Sequence, residues 1–303
     1  MDDRIKLGVV GAGVFGGYHT GKVVAHDGAH LVGIYDPDKS RRDANAKKFN
    51  CKAYGQLSRL IADVDGLVVA SPASYHAGAA LPAIRAGRHV LIEKPIAASA
   101  ADGQSIVDAA AVNNVIVQIG HQERFVMKAI GIDKAPERPT LIRARRMGPY
   151  SPRGTDVSVT LDLMTHDLDM VIWMMGGPPI RIAGQSLAVQ SAAPDAAQAV
   201  LHFEDGGNAY LEASRVEAGH DRVMEVHYPS GVLKIDFVNK TFEDTTGFGF
   251  NPNFGDDPSA ADSLGAGTDA FITAIKTDTP PPVTGRDGLA SLKAALEIDG
   301  ERL

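Results

Sequence analysis

The fold is decided by residues 6–16, which read Lys-Leu-Gly-Val-Val-Gly-Ala-Gly-Val-Phe-Gly. An apolar run ends in closely spaced glycines, and a helix is predicted over residues 15–25. Glycines at this spacing permit a tight turn, a close approach of the backbone to a pyrophosphate and tight helix–strand packing. The helix N-terminus adds N–H groups and a positive partial charge. We predict a dinucleotide site at Gly11, Gly13, Val14, Phe15 and Gly16, with a purely structural turn as the alternative.

Asp36 follows the second apolar run, residues 31–35, and lies 20 residues beyond Gly16. An acid at this point accepts hydrogen bonds from the adenosine ribose hydroxyls, which favours NAD over NADP. Arg41 and Arg42 lie just beyond it, either as ligands of a 2′-phosphate or as exposed helix residues. We therefore predict NAD as the cofactor, with NADP less favoured and a helix-capping Asp36 as the structural alternative.

Apolar runs alternate with helical segments up to residue 122. Further strands are predicted at residues 66–70, 89–92 and 115–119, and helices at 40–49 and 97–113. This alternation is typical of right-handed crossovers and a parallel sheet covered on both faces. The fold class is therefore α/β, with a doubly wound Rossmann domain over residues 1–122.

The pattern changes in residues 123–303. Strands are predicted at 140–147, 181–190, 197–203, 209–216, 222–228 and 232–237, and helices at 161–175, 268–276 and 288–298. Asp205-Gly206-Gly207 and Pro229-Ser230-Gly231 predict hairpin turns. We expect an α+β domain with a mostly antiparallel open sheet. Its C-terminal helix could pack back on the first domain.

The overall composition restricts the possible partners. The chain has 303 residues, with 30 Lys and Arg against 37 Asp and Glu, a net charge of −7. Such a chain is a poor ligand for nucleic acid or an anionic membrane. The single cysteine, Cys51, excludes an intrachain disulfide. The apolar runs are far shorter than the roughly 20 residues that span a bilayer, and the first strand candidate begins at Ile5, so we expect a cytoplasmic protein.

Three further motifs resemble the Gfo/Idh/MocA oxidoreductase family, which includes glucose–fructose oxidoreductase and inositol dehydrogenase. They are Ser71-Pro72 with His76, Glu93-Lys94-Pro95 after the strand at residues 89–92, and Asp162-x-x-x-His166. The resemblance covers nearly the whole chain. It implies that Ser71, Pro72, His76, Glu93 and Lys94 contribute to the cofactor site, and that Lys94, Asp162 and His166 form the catalytic set.

The Asp162–His166 spacing suits acid–base chemistry. Residues four apart share a helix face, and a carboxylate near an imidazole stabilises its protonated form. Imidazole can then accept a hydroxyl proton near neutral pH. A merely solvated helix face is the alternative. Asp167 and Asp169 are interpreted as capping or pairing groups. No metal is predicted, because a zinc enzyme needs three protein ligands and the other histidines lack ligand spacing.

Residues 120–125 and 152–167 resemble the family members that act on UDP-activated amino sugars. This resemblance implies oxidation of the 3-hydroxyl of UDP-N-acetylglucosamine in the lipid A pathway, with an aminotransferase as pathway partner. Arginine binds phosphate bidentately, so Arg124 and Arg153 are predicted to bind the diphosphate, with His166 beside the sugar. Ordinary ion pairs or a solvated loop are the alternatives. Arg143, Arg145 and Arg146 are interpreted as a solvated strand face.

Other functions remain open at this point. They are a dehydrogenase for a free sugar or an inositol-type polyol, an NAD-dependent glycosidase, and a dinucleotide sensor without catalysis. We expect a homodimer or homotetramer that associates through the exposed side of the second sheet. The irregular stretch at residues 247–267 is predicted to be an interface arm or lid, because Phe248, Phe250 and Phe254 would be unusual in a solvated loop.

Overall fold

The computed structural model describes residues 3–152, 154–155 and 157–301. The chain forms two compact units. The first comprises Met1–Gln122 and Leu264–Leu289, and the second comprises Glu123–Ser263 and Ala290–Leu303. The chain therefore passes from one unit to the other three times, the last time inside the final helix, and each unit is built from two separate stretches of sequence.

The first unit contains a parallel sheet of six strands. They are β1 (Ile5–Val10), β2 (Ala29–Tyr35), β3 (Lys52–Tyr54), β4 (Gly66–Val69), β5 (His89–Ile92) and β6 (Val117–Ile119). Their order is β3-β2-β1-β4-β5-β6, with every neighbouring pair parallel. This is the doubly wound order, in which the strand order reverses between β1 and β4 while every strand keeps the same direction. The prediction of a Rossmann domain is confirmed.

Helices connect these strands. They are α1 (Val14–Ala25), α2 (Lys39–Lys48), α3 (Leu57–Asp63), α4 (His76–Arg85) and α5 (Ala100–Asn113). Strand β1 is buried on both faces, with Leu7 and Val9 fully covered on one face and Val10 nearly so on the other, as expected of a central strand in a parallel sheet. The sequence did not predict β3, α3 or α4, because these elements are short and lack a strong apolar period.

The second unit contains a mixed sheet of seven strands. They are β7 (Leu141–Met147), β8 (Arg181–Leu187), β9 (Ala196–His202), β10 (Asn208–Ser214), β11 (Asp221–Tyr228), β12 (Gly231–Asp236) and β13 (Thr241–Asp244). The two predicted hairpins, β9–β10 and β11–β12, are confirmed as antiparallel pairs. The central pair β7–β10 runs parallel, so the sheet is mostly rather than wholly antiparallel.

Three helices accompany this sheet. They are α6 (Glu123–Ile130), α7 (Thr165–Met174) and the short α8 (Pro258–Ala261). The predicted helix over 161–175 begins instead as a π-helical turn, Thr160–Met164, and becomes α-helical at Thr165. Residues of α7 and of this turn lie against β10.

The arm predicted at residues 247–267 is wrong. Phe254 is fully buried and Phe250 nearly so, and both rings lie against Phe242, with centroid distances of 6.0 and 6.5 Å. Phe248 contacts Tyr228 in the same way. These aromatic side chains are part of the interior of the second unit, which explains their presence in a glycine-rich stretch.

The chain then returns to the first unit through α9 (Ser263–Thr277) and the beginning of α10 (Gly285–Ile298), whose residues from Ala290 onward belong to the second unit. Phe271 and Ile272 of α9 are buried in a cluster that includes Leu7 and Val9 of β1. The amide of Ile119 in β6 donates to the carbonyl of Val283, 3.1 Å away. The return segment therefore supplies part of the first unit's core and borders its last strand.

Candidate active site

The motifs of the first unit meet at one edge of its sheet. The glycine turn follows β1, Ser71-Pro72 follows β4 by one residue, and Glu93-Lys94-Pro95 follows β5. Strands β1, β4 and β5 are parallel neighbours, so their carboxyl ends lie side by side. Open α/β sheets bind ligands at this edge, where the strand order reverses.

The three glycines of the turn are required for different reasons. Gly11 has a φ of +102°, and a Cβ there would lie 2.6 Å from the Ala70 carbonyl oxygen. A Cβ on Gly16 would lie 2.0 Å from the Gly11 carbonyl oxygen, so only glycine lets α1 begin this close to the turn. A Cβ on Gly13 would meet no atom within 4 Å. The open space at Gly13, the first-turn N–H groups and the two close approaches fit a pyrophosphate cradle.

Asp36 is buried at the end of β2 and holds the turn in place. One carboxylate oxygen accepts from the Ala12 amide at 2.7 Å, and the other accepts from the Asp38 amide at 2.8 Å. Each oxygen keeps a second lone pair that can accept from a ribose hydroxyl. Arg41 is paired with Asp38, and Arg42 contacts both the Asp36 carbonyl and Asp43. These contacts engage both arginines with protein groups.

Ser71 adds a second indication of a ligand at this edge. Its buried Oγ has no hydrogen-bond partner within the described parts of the chain, as expected of a group that faces a polar ligand. Val14 and Phe15 are both about half exposed (53%) at the start of α1. Pro72 precedes the short 3₁₀ turn Ala73–Tyr75 that leads into α4.

His76, which was predicted to contribute to the cofactor site, directs both ring nitrogens at backbone carbonyls. The ring is buried, and its two nitrogens lie 2.8 Å from the carbonyl oxygens of Pro95 and Ser71. Burial lowers the pKa of His76, against the two hydrogen bonds that favour a protonated ring. His76 therefore ties the segment after β4 to the segment after β5 and supports the cofactor edge from behind.

Glu93 likewise supports its neighbour. Its Oε1 lies 2.6 Å from His19 Nε2 and accepts from Gln122 at 3.3 Å, and its Oε2 accepts from the Lys94 amide at 3.2 Å. Burial tends to raise the pKa of Glu93, but the His19 hydrogen bond and neighbouring positive charge lower it. Lys94 itself is partly exposed. The sequence analysis missed His19, which lies on α1 and 74 residues from Glu93.

The second unit carries Asp162 and His166, both partly exposed. Asp162 lies in the π-helical turn and His166 in the first turn of α7. A Cβ on Gly154 would come within 2.6 Å of Asp162 Oδ2, so the loop before the turn approaches this carboxylate closely. π-Helical turns are rare and occur frequently at functional sites.

A buried ionic network that the sequence analysis did not foresee lies beside His166. Arg146 on β7 donates to both carboxylate oxygens of Glu123 on α6, at 2.8 and 2.5 Å, and to both oxygens of Asp167, at 2.9 Å. Burial disfavours the charged guanidinium, but the two carboxylates raise the pKa of Arg146. The interpretation of Arg146 as solvated is therefore wrong, whereas Arg143 and Arg145 are exposed.

Arg124 is also internal to the second unit, which corrects its assignment as a diphosphate ligand. Its Nε and Nη2 donate to the two oxygens of buried Asp169 at 2.7 and 2.8 Å. The guanidinium lies over the Trp173 ring, 4.9 Å from the centroid. Only 2% of the Arg124 side chain is exposed, so the ion-pair alternative fits. Arg153, the other predicted diphosphate ligand, lies outside the described residues.

A second buried pair holds the loop that precedes Asp162. Arg215 donates to Asp195 Oδ1 at 2.8 Å and to the carbonyl oxygens of Gly154 and Val157 at 2.7 and 3.1 Å. Burial would raise the pKa of Asp195, but the backbone N–H of Ser191 and the Arg215 guanidinium hold it well below its usual range. The pair thus fixes the backbone on both sides of Thr155.

Two negative findings apply to the described part of the chain. It contains no group of three or more His, Cys, Asp or Glu side chains suited to holding a metal ion. None of its helices has both the length and the apolar character that a bilayer crossing requires.

Comparison with known proteins identifies the family. The model of an oxidoreductase family with an NAD-binding Rossmann fold matches residues 5–121, and that of the GFO/IDH/MocA C-terminal domain matches residues 138–234. The chain belongs to the Gfo/Idh/MocA family. Its first unit is the family's NAD-binding Rossmann domain, its cofactor is NAD, and the protein is an oxidoreductase.

Among its relatives, UDP-N-acetylglucosamine 3-dehydrogenase of Acidithiobacillus ferrooxidans is 30% identical, covering 97% of this chain and 96% of the relative. A solved structure of that enzyme has a TM-score of 0.90 at 29% identity, covering 98% and 97% of the two chains. Myo-inositol 2-dehydrogenase of Thermotoga maritima is 28% identical, covering 95% and 93%. The WlbA dehydrogenase of Bordetella pertussis, solved with NADH and UDP-GlcNAcA, shares the fold at 21% identity, with a TM-score of 0.86 and 98% and 96% coverage.

Proposed function

We propose that the protein oxidises the 3-hydroxyl of UDP-N-acetylglucosamine with NAD. The observation that carries this proposal is the presence of Lys94, Asp162 and His166 in a chain related over almost its whole length to a UDP-N-acetylglucosamine 3-dehydrogenase. The partial exposure of all three side chains fits contact with a substrate.

The residues take the following roles in this proposal. His166 accepts the hydroxyl proton, because imidazole is a base suited to neutral pH. Lys94 donates a hydrogen bond to the alcohol oxygen and orients it, and Asp162 favours the protonated form of the base. Bound NAD would supply the acceptor for the hydride of the carbinol carbon. The secondary alcohol thus becomes a ketone, NAD is reduced, and one proton is released.

Arg153 is the remaining arginine proposed to bind the diphosphate, since Arg124 is buried in an ion pair. It follows Pro152 and precedes Gly154, whose carbonyl Arg215 holds. The pairing of Arg41 and Arg42 with Asp38 and Asp43 supports NAD rather than NADP, because a 2′-phosphate would have to displace those acids.

Substrate profiling tests the proposal. Purified protein is incubated with NAD and, in turn, UDP-N-acetylglucosamine, N-acetylglucosamine and myo-inositol, and NADH absorbance is followed. A UDP-sugar aminotransferase with its amino donor draws an unfavourable oxidation forward by consuming the ketone. We expect NADH only with the nucleotide sugar, and none with His166→Asn. Sugar release without net NADH would instead indicate a glycosidase.

Oxidation of a free polyol is the second candidate. It is favoured by the similarity to myo-inositol 2-dehydrogenase and by the burial of Arg124, which removes one expected phosphate ligand. NADH formation with myo-inositol and not with the nucleotide sugar would establish it.

For either substrate we propose that the protein is a cytoplasmic homodimer or homotetramer, and light scattering tests its oligomeric state. For the nucleotide sugar we propose that the protein acts in lipid A synthesis, with an aminotransferase as its pathway partner.

A further inference from the structure

A carboxylate outside the expected catalytic set lies beside His166. Glu123 Oε1 lies 4.0 Å from His166 Nδ1, and both side chains are 19% exposed. This separation is that of an ion pair rather than a hydrogen bond, so the interaction acts mainly through charge. At 19% exposure, solvent screens the pair less than it screens a pair on an open surface.

Glu123 is held in place by groups that cannot easily move. It lies in the first turn of α6, where a carboxylate is favoured by the helix dipole. Arg146 binds both of its oxygens, and Asp167 in turn binds Arg146 in the same two-pronged way. Only 3% of the Arg146 side chain is exposed, and its planar guanidinium fixes both carboxylates in one geometry.

Charged residues on five elements surround the ionic network beside His166. Glu123 lies on α6, Asp167 on α7, Arg146 on β7 and Asp162 in the π-helical turn, while Arg222 on β11 pairs in register with Arg146 and acts electrostatically on Asp167. Asp167 is buried behind Arg146, whereas Glu123 lies between Arg146 and His166. Glu123 therefore places a fixed negative charge 4.0 Å from the imidazole.

Resting on the proposed function, we infer that Glu123 is a positioning residue for His166. It attracts the Nδ1 proton, which leaves the Nε2 lone pair to take the substrate hydroxyl proton, and it stabilises the imidazolium that forms. Arg146 and Asp167 serve by fixing Glu123. The oxidation step is balanced in atoms and charge. One proton moves from the substrate hydroxyl to Nε2 of His166, and the hydride of the same carbinol carbon would pass to NAD.

The test is an NMR titration of the full-length protein without substrate. The His166 ring signals are assigned by their loss in His166→Asn, and their titration midpoint is compared between wild type and Glu123→Gln. We expect the midpoint to fall by about one pH unit in Glu123→Gln, since an opposite charge at this distance favours the charged form. Glu123→Asp, which keeps the charge, should retain part of the wild-type midpoint.

The chain supplies a matched control. Glu225 Oε2 lies 3.8 Å from His227 Nε2 on β11, with side chains 31% and 28% exposed. Glu225→Gln removes the same kind of charge from the same unit, so it should leave the His166 midpoint and the turnover unchanged.

The kinetic readout separates a positioning role from a merely structural one. In Glu123→Gln the acid limb of kcat/KM should move to lower pH together with the His166 midpoint. Turnover should fall about tenfold or more, because His166 becomes a weaker base, while the KM for the nucleotide sugar changes little.

Two results would overturn the inference. One is an unchanged His166 midpoint in a folded Glu123→Gln protein. The other is a neutral His166 in the wild-type protein whose ¹⁵N chemical shifts place the ring proton on Nε2. This second measurement needs no Glu123 variant. If the midpoint falls as expected but no nucleotide sugar yields NADH, the inference about Glu123 stands and the proposed substrate fails.

Discussion

Glu93 is a buried acid whose ionised form fixes the backbone beside the partly exposed Lys94. Its two oxygens accept hydrogen bonds from His19, Gln122 and the Lys94 amide. Burial alone would raise the pKa of Glu93, yet the His19 hydrogen bond lowers it below the usual range. The charged carboxylate is therefore part of the folded state, and its protonation weakens the fold.

The pH dependence of stability follows from this direction. Below the usual glutamate pKa of about 4.3 the unfolded chain binds a proton before the folded chain does, so stability rises with pH in that window. The contribution of Glu93 should be complete above that pKa and vanish as pH falls through the lower folded pKa. We expect the difference in melting temperature between wild type and Glu93→Gln to shrink from about pH 6 to about pH 3. Exposed Glu204→Gln is the control, and a constant difference would contradict the prediction.

Lys94 permits a prediction about turnover. The side chain is partly exposed at the carboxyl edge of the sheet, and the cofactor cradle is built by other residues. Lys94→Ala should lower kcat by about 100-fold or more while leaving the NAD dissociation constant nearly unchanged. Steady-state rates and calorimetric NAD titration check this, with exposed Lys47→Ala as control. Unchanged turnover would remove the lysine from the chemistry.

The turn between β1 and α1 distinguishes a fold-supporting glycine from a ligand-facing one. Gly16→Ala would drive a methyl group into the Gly11 carbonyl, so we expect it to destabilise the first unit. Gly13→Ala meets no protein atom and should keep the melting temperature while weakening NAD binding about tenfold, because the methyl group occupies the cradle. Gly78→Ala, also in open space but on α4, should leave NAD affinity unchanged. Equal affinity of the Gly13 and Gly78 variants would argue against the cradle.

The loop before the π-helical turn depends on one buried pair. Arg215 holds the carbonyl oxygens of Gly154 and Val157 and is itself held by Asp195. Breaking a buried pair by removing one partner costs roughly 3–5 kcal/mol. Arg215→Gln should therefore speed hydrogen exchange at residues 154–158 and raise the KM for the sugar substrate, with NAD affinity unchanged. Arg145→Gln, which removes an exposed pair with Asp221, is the control, and unaltered exchange in the loop would contradict the prediction.

Strand β7 shows what a pattern could have predicted and what was overlooked. Its side chains alternate, so Arg143 and Arg145 face solvent while Ile142, Ala144 and Arg146 face the interior. The alternation of side chains along β7 therefore predicts that Arg146 is buried on the same face as Ile142 and Ala144. Its partners were not predictable, because Glu123 and Asp167 reach it only through the tertiary fold, 23 and 21 residues away.

Other elements show limits of a different kind. The parallel pairing of β7 with β10 arises from a long connection, whereas turn residues indicate only the pairing of neighbours such as β9 and β10. The π-helical turn at Thr160–Met164 follows no sequence period that separates it from an α-helix. The cofactor edge was predictable, because glycine spacing and the ends of apolar strands are local features that a parallel sheet brings to one side.

At the scale of the whole molecule, the first unit depends on residues from the end of the chain. Phe271 on α9 is fully buried in the cluster around Leu7 and Val9. Phe271→Ala should lower the free energy of unfolding by about 3–5 kcal/mol and weaken NAD binding at temperatures where the first unit begins to open. Denaturant unfolding and calorimetry check both effects. Val112→Ala, at an 84% exposed position, should change stability by less than about 0.5 kcal/mol. A Phe271→Ala protein as stable as wild type would contradict the packing described for α9.

The return of α9 also sets an order of events during translation. Domains generally fold as units while the ribosome proceeds from the N-terminus. Here the nascent Rossmann strands emerge first, yet Phe271 and Ile272 leave the exit tunnel only after all seven strands of the second sheet. A nascent chain that ends before residue 264 lacks α9, so the apolar residues that α9 covers in the first unit stay uncovered. The first unit is synthesised first, but its core is complete only after α9 near the end of the chain has been made.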